Sequence, residues 1–177
     1  MKYFDELQLS MEYLADQPDT IFIGQATKDK GTSMSNTLVN VPIEKRIEFP
    51  VMENTQLGVS TGMALNGSKV VSIFPRFNFL LCAMDQLINH LDKIKTFSHN
   101  EFLPSLIIRT GVGSIIPLHP QAQHVGNFSN ALRPICTNIE IIELNKPEEI
   151  FPAYVKAYTR NDGLSTILVE ISDLLNA

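Results

Sequence analysis

Glu53 is the residue whose neighbours best equip it for chemistry. It stands in KRIEFPVMENTQLGVSTGMALNG, after an apolar run (Ile47, Phe49, Val51, Met52) and before small and apolar residues (Gly58, Val59, Gly62, Ala64). This pattern reads as a buried strand running into a helix, and the carboxyl ends of strands in α/β sheets are where such folds bind ligands. An apolar setting disfavours the charged form of a carboxyl, so Glu53 is a candidate proton donor near neutral pH. The competing reading is an exposed glutamate at a helix start, favoured by the helix dipole. His119 and His124 share one loop, HPQAQHVGN, whereas His90 and His99 fall on a long helix or at its end and read as surface residues. Cys82 and Cys136 fit neither a CxxC motif nor a disulfide framework. Flanked by apolar residues, both are expected as buried free thiols. The sequence has no GxGxxG, no P-loop and no cluster with metal-ligand spacing.

The elements that must position these groups alternate between strand and helix. Residues 3–16 carry apolar positions at helical spacing (Phe4, Leu7, Met11, Leu14) and predict an amphipathic helix. Strands are predicted at 19–24, 46–51, 69–74, 105–111, 139–144 and 165–171. Residues 25–42 read as a long polar loop with one helical turn near 34–39, and a loop of that length needs a job. Helices are predicted over 54–66, closed by Gly67, and over 79–97, with Leu80, Met84, Leu87, Ile88, Leu91 and Ile94 as its buried stripe. A short helix is expected within 125–133, and Pro147 opens another that runs to about Arg160. Strands alternating with helices predict an α/β fold, a three-layer α/β/α sandwich around a mostly parallel sheet of about six strands.

Composition bounds the function. At 177 residues, with 44% hydrophobic and 19% charged content, the chain fits one globular domain spanning 1–177. A net charge of −5 offers no electrostatic reason to expect a nucleic-acid partner. The acidic N-terminal stretch does not resemble a signal peptide, and no run approaches the ~20 apolar residues of a membrane span. A cytoplasmic protein with no membrane partner is the expectation.

Laid out this way, the chain resembles the pyrimidine-binding domain of thiamine-diphosphate enzymes, above all the beta subunits of 2-oxoacid dehydrogenases and the central domain of transketolases. Four stretches carry the resemblance: KRIEFPVMEN, IFPRFNFLLCAMDQLINHLDKI, PSLIIRTGVG and HPQAQHVGNFSNAL. The resemblance puts the family's catalytic glutamate on Glu53, where it would share a hydrogen bond with N1′ of the cofactor's aminopyrimidine and tune a base that belongs to the cofactor. It puts the aromatic residue that packs on the pyrimidine on Phe79, with Phe77 as its competitor. It makes His124 a second catalytic candidate that would stabilise charge developing on the substrate, with His119 as an alternative on the same loop. The beta subunits commonly have Gln-His-Ser-Gln here; Val125 and Gly126 replace the polar pair, which puts substrate type in doubt.

The resemblance further implies a 2-oxoacid or ketose substrate, thiamine diphosphate as cofactor, and Mg2+ held mainly by another chain. The family's diphosphate-binding domain carries Gly-Asp-Gly and a downstream Asn. Here only NDG at 161–163 approaches that pattern, and it reads as a turn before the last strand. The diphosphate-binding domain is therefore expected on a partner chain, and the family's C-terminal domain is expected to be absent. The implied assembly is a heterotetramer with a separate diphosphate-binding, alpha-type subunit, and its homodimer contact runs through the Glu53 helix, where GVSTGMALNG is small enough for close approach. The alternative is a non-catalytic regulatory or assembly subunit with the same fold. A flavodoxin-like module would need a phosphate-binding loop after the first strand, and GQATKDKG is a poor one.

Overall fold

The computed structural model describes residues 2–29, 31–116 and 119–176. Its centre is a six-stranded, all-parallel sheet in the order β2-β1-β3-β4-β6-β5. The strands are β1 (Thr20–Gly24), β2 (Arg46–Glu48), β3 (Lys69–Phe74), β4 (Leu106–Val112), β5 (Ile139–Leu144) and β6 (Ser165–Ile171). Side chains alternate across it: Phe22, Val71, Ile107 and Leu168 enter one core, and Ile23, Val70, Ile108 and Ile167 enter the other. Both faces are apolar because both are covered, as an all-parallel sheet requires.

α1 (Tyr3–Ala15) and α7 (Pro147–Thr159) cover the first face, with the single turn α2 (Ser33–Asn36) at its rim. α3 (Glu53–Leu65), α4 (Phe77–Leu80), the turns that follow it up to Leu91 and the single turn α6 (Ser129–Leu132) cover the second, and α5 (Asp92–Phe97) continues from Leu91. The three-layer α/β/α architecture expected from the sequence is the one observed. Among the described residues no helix is long and apolar enough to cross a membrane.

Several elements depart from expectation. The helix predicted over 79–97 begins earlier, at Phe77, and is broken: a 3-10 turn at Leu81–Ala83 and a π-helical stretch at Asp85–Leu91 separate α4 from α5. Of the predicted stripe, Leu80, Leu87, Leu91 and Ile94 are buried, whereas Met84 and Ile88 are only partly buried and Ala83 turns inward, because the 3-10 and π turns shift the register. β2 stops at Glu48 instead of running to residue 51: Phe49 still donates to the Gly24 carbonyl (2.8 Å), but the chain then turns, with the Met52 amide donating back to the Pro50 carbonyl (2.7 Å). Cys82 is exposed rather than buried, since the 3-10 turn directs its neighbours Leu80 and Ala83 inward. Cys136 is half-buried, and burial together with the nearby Asp92 charge pushes its thiol up to about 11. α3 closes as the sequence predicts, with Gly67 at φ +94 just past Asn66.

α3 docks on β3 through polar groups as much as through its apolar face. Gln56 donates its amide to Ser72 Oγ (3.2 Å) and to the Ile73 carbonyl (3.0 Å), and Ser60 Oγ lies 3.0 Å from Ser72 Oγ, all buried. A Cβ on Gly58 would lie only 3.2 Å from Gln86 Oε1, so glycine lets the π-helical stretch approach α3. This seam holds the amino end of α3, and Glu53 with it, over the carboxyl edge of the sheet.

Candidate active site

At the carboxyl edge the chain reverses its direction of travel across the sheet. β1 leads outward to the edge strand β2, whereas β3 leads the other way to β4, so the crevice between β1 and β3 is a topological switch point, the usual ligand site of such sheets. A cavity of about 290 Å³ opens there. Gln25 and Ala26 follow β1, Pro75 and Arg76 follow β3, Gly113 and Ser114 follow β4, and Ser172 follows β6. Phe79 closes one wall and the start of α2 another.

Glu53 is the first residue of α3 and is only 9% exposed, although Val51 and Met52 beside it lie outward. Its burial therefore does not come from the apolar neighbours in sequence. Its carboxylate accepts a hydrogen bond at Oε1 from Gln25 Nε2 (3.0 Å). Gln25 itself lines the cavity, so it links the carboxylate to that space. The helix N-terminus adds favourable dipole charge. Glu53 thus starts a helix, as the competing reading had it, but it is buried at the carboxyl edge of the sheet rather than exposed.

Phe79 stands on the cavity wall, half-buried, with the His124 ring edge-on to it (centroids 5.7 Å, planes at 90°). Phe77 is fully buried in the core beneath, edge-to-face with Phe128 (5.6 Å), and is not among the residues lining the cavity. His124 Nδ1 is buried with no hydrogen-bond partner among the described residues. His119 is exposed and its Nδ1 accepts from the Gln121 amide (3.0 Å), away from the cavity lining. His90 and His99 are exposed, as the sequence predicts.

No protein-family model matches the chain. A curated relative, the 2-oxoisovalerate dehydrogenase subunit beta of Bacillus subtilis (strain 168), is 26% identical over 117 residues, 64% of this chain and 36% of that protein. Among solved structures, a split gene transketolase described as an inactive beta4 tetramer superimposes with a TM-score of 0.65 at 13% identity, covering 96% of this chain and 51% of that one. The chain thus shares the fold of that transketolase chain. The chain spans about a third of the length of the curated relative and half that of the transketolase chain.

Two residues of this candidate site escaped the sequence reading. Gln25 lies in a polar segment that reads as ordinary loop; only its place directly after β1 marks it. Arg76 lies in IFPRFNF, where the aromatic residues draw attention. Its Nη1 donates to the carbonyls of Gly113 (2.7 Å) and His124 (2.9 Å), tying the loop after β4 to the histidine loop. The signal that could have found it is a lone cation at the end of a buried strand. Among the described residues no group of His, Cys, Asp and Glu could hold a metal ion. NDG at 161–163 forms a turn in which Asp162 pairs with Arg160 and accepts from the Leu164 amide.

Proposed function

We propose that this chain is the pyrimidine-binding component of a thiamine-diphosphate-dependent enzyme acting on a 2-oxoacid or ketose, completed by a diphosphate-binding partner chain that holds most of the Mg2+ contacts. The observation that carries this reading is the buried Glu53 carboxylate, anchored by Gln25 beside a cavity walled by Phe79. The residues present fit the cofactor's pyrimidine half. One carboxyl oxygen of Glu53 is committed to Gln25, the other makes no hydrogen bond to a described residue, and an aromatic ring borders the same cavity.

Thiamine diphosphate, when bound, supplies an acidic C2 hydrogen and its own aminopyrimidine base. Glu53 would hold the proton shared with pyrimidine N1′, Gln25 would fix the orientation of its carboxyl, and Phe79 would bear on the pyrimidine. His124, on the loop tied down by Arg76, would face charge developing on the substrate. The outward face of α3 presents Val59, Gly62 and Leu65, and a Cβ on Gly62 would meet nothing within 4 Å. That face suits contact with a second copy, and a heterotetramer with the partner chain would follow. The description of the split transketolase neighbour as an inactive beta4 tetramer agrees with a need for that partner.

Calorimetry of thiamine diphosphate with magnesium, with and without the diphosphate-binding chain, tests the split site: binding is expected only to the mixture. Glu53→Gln should leave assembly intact and abolish hydrogen–deuterium exchange at cofactor C2. Unchanged exchange in the assembled variant would remove Glu53 from the mechanism. Failure of the assembled mixture to bind cofactor would favour the non-catalytic subunit instead.

A further inference from the structure

The cavity at the switch point carries charge as well as shape. Arg76 is the charged residue in its lining, and no carboxylate lines it. Three acidic groups border the lining, and each is already engaged: Glu48 accepts from the amides of Ala26, Thr27 and Lys28. Glu53 accepts from Gln25, and Asp173 Oδ1 accepts from the amides of Ile115 (2.7 Å) and Ile116 (3.1 Å). Arg76 Nη1 is taken by two carbonyls, but Nε and Nη2 hydrogen-bond to no described residue. A half-buried guanidinium without an acidic partner is an acceptor-seeking group, and its planar fork matches a carboxylate or phosphate. Around it the hydroxyls of Ser33, Ser114 and Ser172 line the same space and make no hydrogen bond to a described residue. Met34, Pro75 and Phe79 supply the apolar remainder, and about 290 Å³ holds a small metabolite.

We propose that this cavity is an anion subsite in which Arg76, with the serine hydroxyls, takes the carboxylate or phosphate of a small organic ligand. The charge of the ligand follows from the geometry alone; its identity as the substrate rests on the function proposed above. Arg76 would then select anionic substrates and, through its bonds to Gly113 and His124, couple their arrival to the histidine loop.

The test titrates the full chain with 2-oxobutanoate, with inorganic phosphate, and with butanone as the counterpart lacking the carboxylate, by calorimetry or ligand-observed NMR. At least one anion should bind and butanone should not, and the preferred anion tells a carboxylate site from a phosphate site. Loss of one charge-assisted contact in Arg76→Leu should weaken anion binding about tenfold or more. Arg76→Lys should retain part of it. Because Arg76 also holds two loops, the double variant Ser114→Ala/Ser172→Ala, which keeps its carbonyl bonds, serves as the second probe. With a melting temperature near that of the parent, it should bind the anion several-fold more weakly. Equal binding of butanone, no binding of either anion, or anion affinity unchanged in both Arg76→Leu and the serine variant would overturn the subsite. Thiamine-diphosphate binding to the assembled mixture is measured separately. Anion binding without cofactor binding refutes the cofactor reading and leaves the subsite standing, whereas cofactor binding with Arg76-independent anion affinity overturns the subsite alone.

Discussion

Replacing Glu170 by glutamine should be among the most damaging conservative changes in the molecule. Glu170 and Arg109 face each other from β6 and β4 inside the sheet, with side chains 1% and 0% exposed. The carboxylate accepts from Arg109 Nε and Nη2 and from the Tyr154 hydroxyl (2.8 Å). Burial alone would lower the Arg109 pKa, but the Glu170 charge raises it above its ordinary value, so the guanidinium stays charged in the core. Glu170→Gln keeps the shape, removes the compensating charge and turns an amide donor toward a guanidinium. Breaking a buried pair in this way costs about 3–5 kcal/mol, a large part of the about 5–15 kcal/mol that holds a domain together. For a chain of this size the melting temperature should fall by about 6–20 °C. Far-UV circular dichroism follows both, a urea titration giving the free-energy loss and a thermal melt the shift in melting temperature, since the chain has no tryptophan to report. The double variant Arg109→Met/Glu170→Leu removes both charges and should be less destabilised than the single one, losing chiefly the partner of the Tyr154 hydroxyl, about 1–3 kcal/mol. A Glu170→Gln loss below about 1 kcal/mol, or a double variant as weak as the sum of the two singles, would refute the reasoning.

Two further outcomes follow from the same coordinates. Gly24→Ala would place a Cβ 2.3 Å from the Ile73 carbonyl oxygen and 2.9 Å from its Cβ, so β1 and β3 must part; a loss of about 1–3 kcal/mol in unfolding free energy by urea titration is expected, and a neutral variant would contradict the close approach. Asp92 is buried, which raises its pKa, but bonds from Lys93, Asn138 and Thr137 outweigh burial and hold the carboxyl below its ordinary value. Its contribution to stability is therefore complete above about pH 4, the unfolded value, and is lost as pH falls through the folded one. Asp92→Asn should flatten the acid limb of a stability-against-pH curve, and an unchanged limb would assign that loss to other carboxylates.

The sheet and its covering helices were legible because burial writes them into the residue types. The runs KVVSIF, IEIIEL and STILVEI have no polar face to spare, and each became a strand with the predicted bounds. What escaped was set by contacts between elements. The break at Leu81–Ala83 and the π stretch at Asp85–Leu91 leave the apolar period nearly intact, so periodicity alone reads one helix over 79–97. Cys82 has apolar neighbours in the chain yet faces outward, because which side of a turn is buried depends on what packs against it. The docking of α3 through Gln56, Ser60 and Ser72 was equally hidden, since each residue alone reads as an ordinary polar position.

The sequence pointed to the candidate site through one residue and hid its geometry, for a reason rooted in topology. Glu53 is conspicuous because a carboxylate between an apolar run and a run of small residues is locally unusual. Gln25 and Arg76 are not unusual where they stand. They acquire meaning only because β1 and β3 are neighbours, although β2 and α3 separate them along the chain. Strand order is not written in any one segment; it emerges when α3 carries the chain back across β1. That crossing sets Gln25 and Arg76 on the lining of one crevice and draws in Ser114 and Ser172 from β4 and β6. The same crossing seats Glu53 at the start of α3 within reach of Gln25 (3.0 Å). A change that shifts α3 without touching the cavity, such as Ser72→Ala in its polar seam, should therefore disturb the Glu53–Gln25 bond before it disturbs the bonds of Arg76, which are made to β4 and the histidine loop instead. Carboxylate placement and anion binding are in this sense held by separate supports.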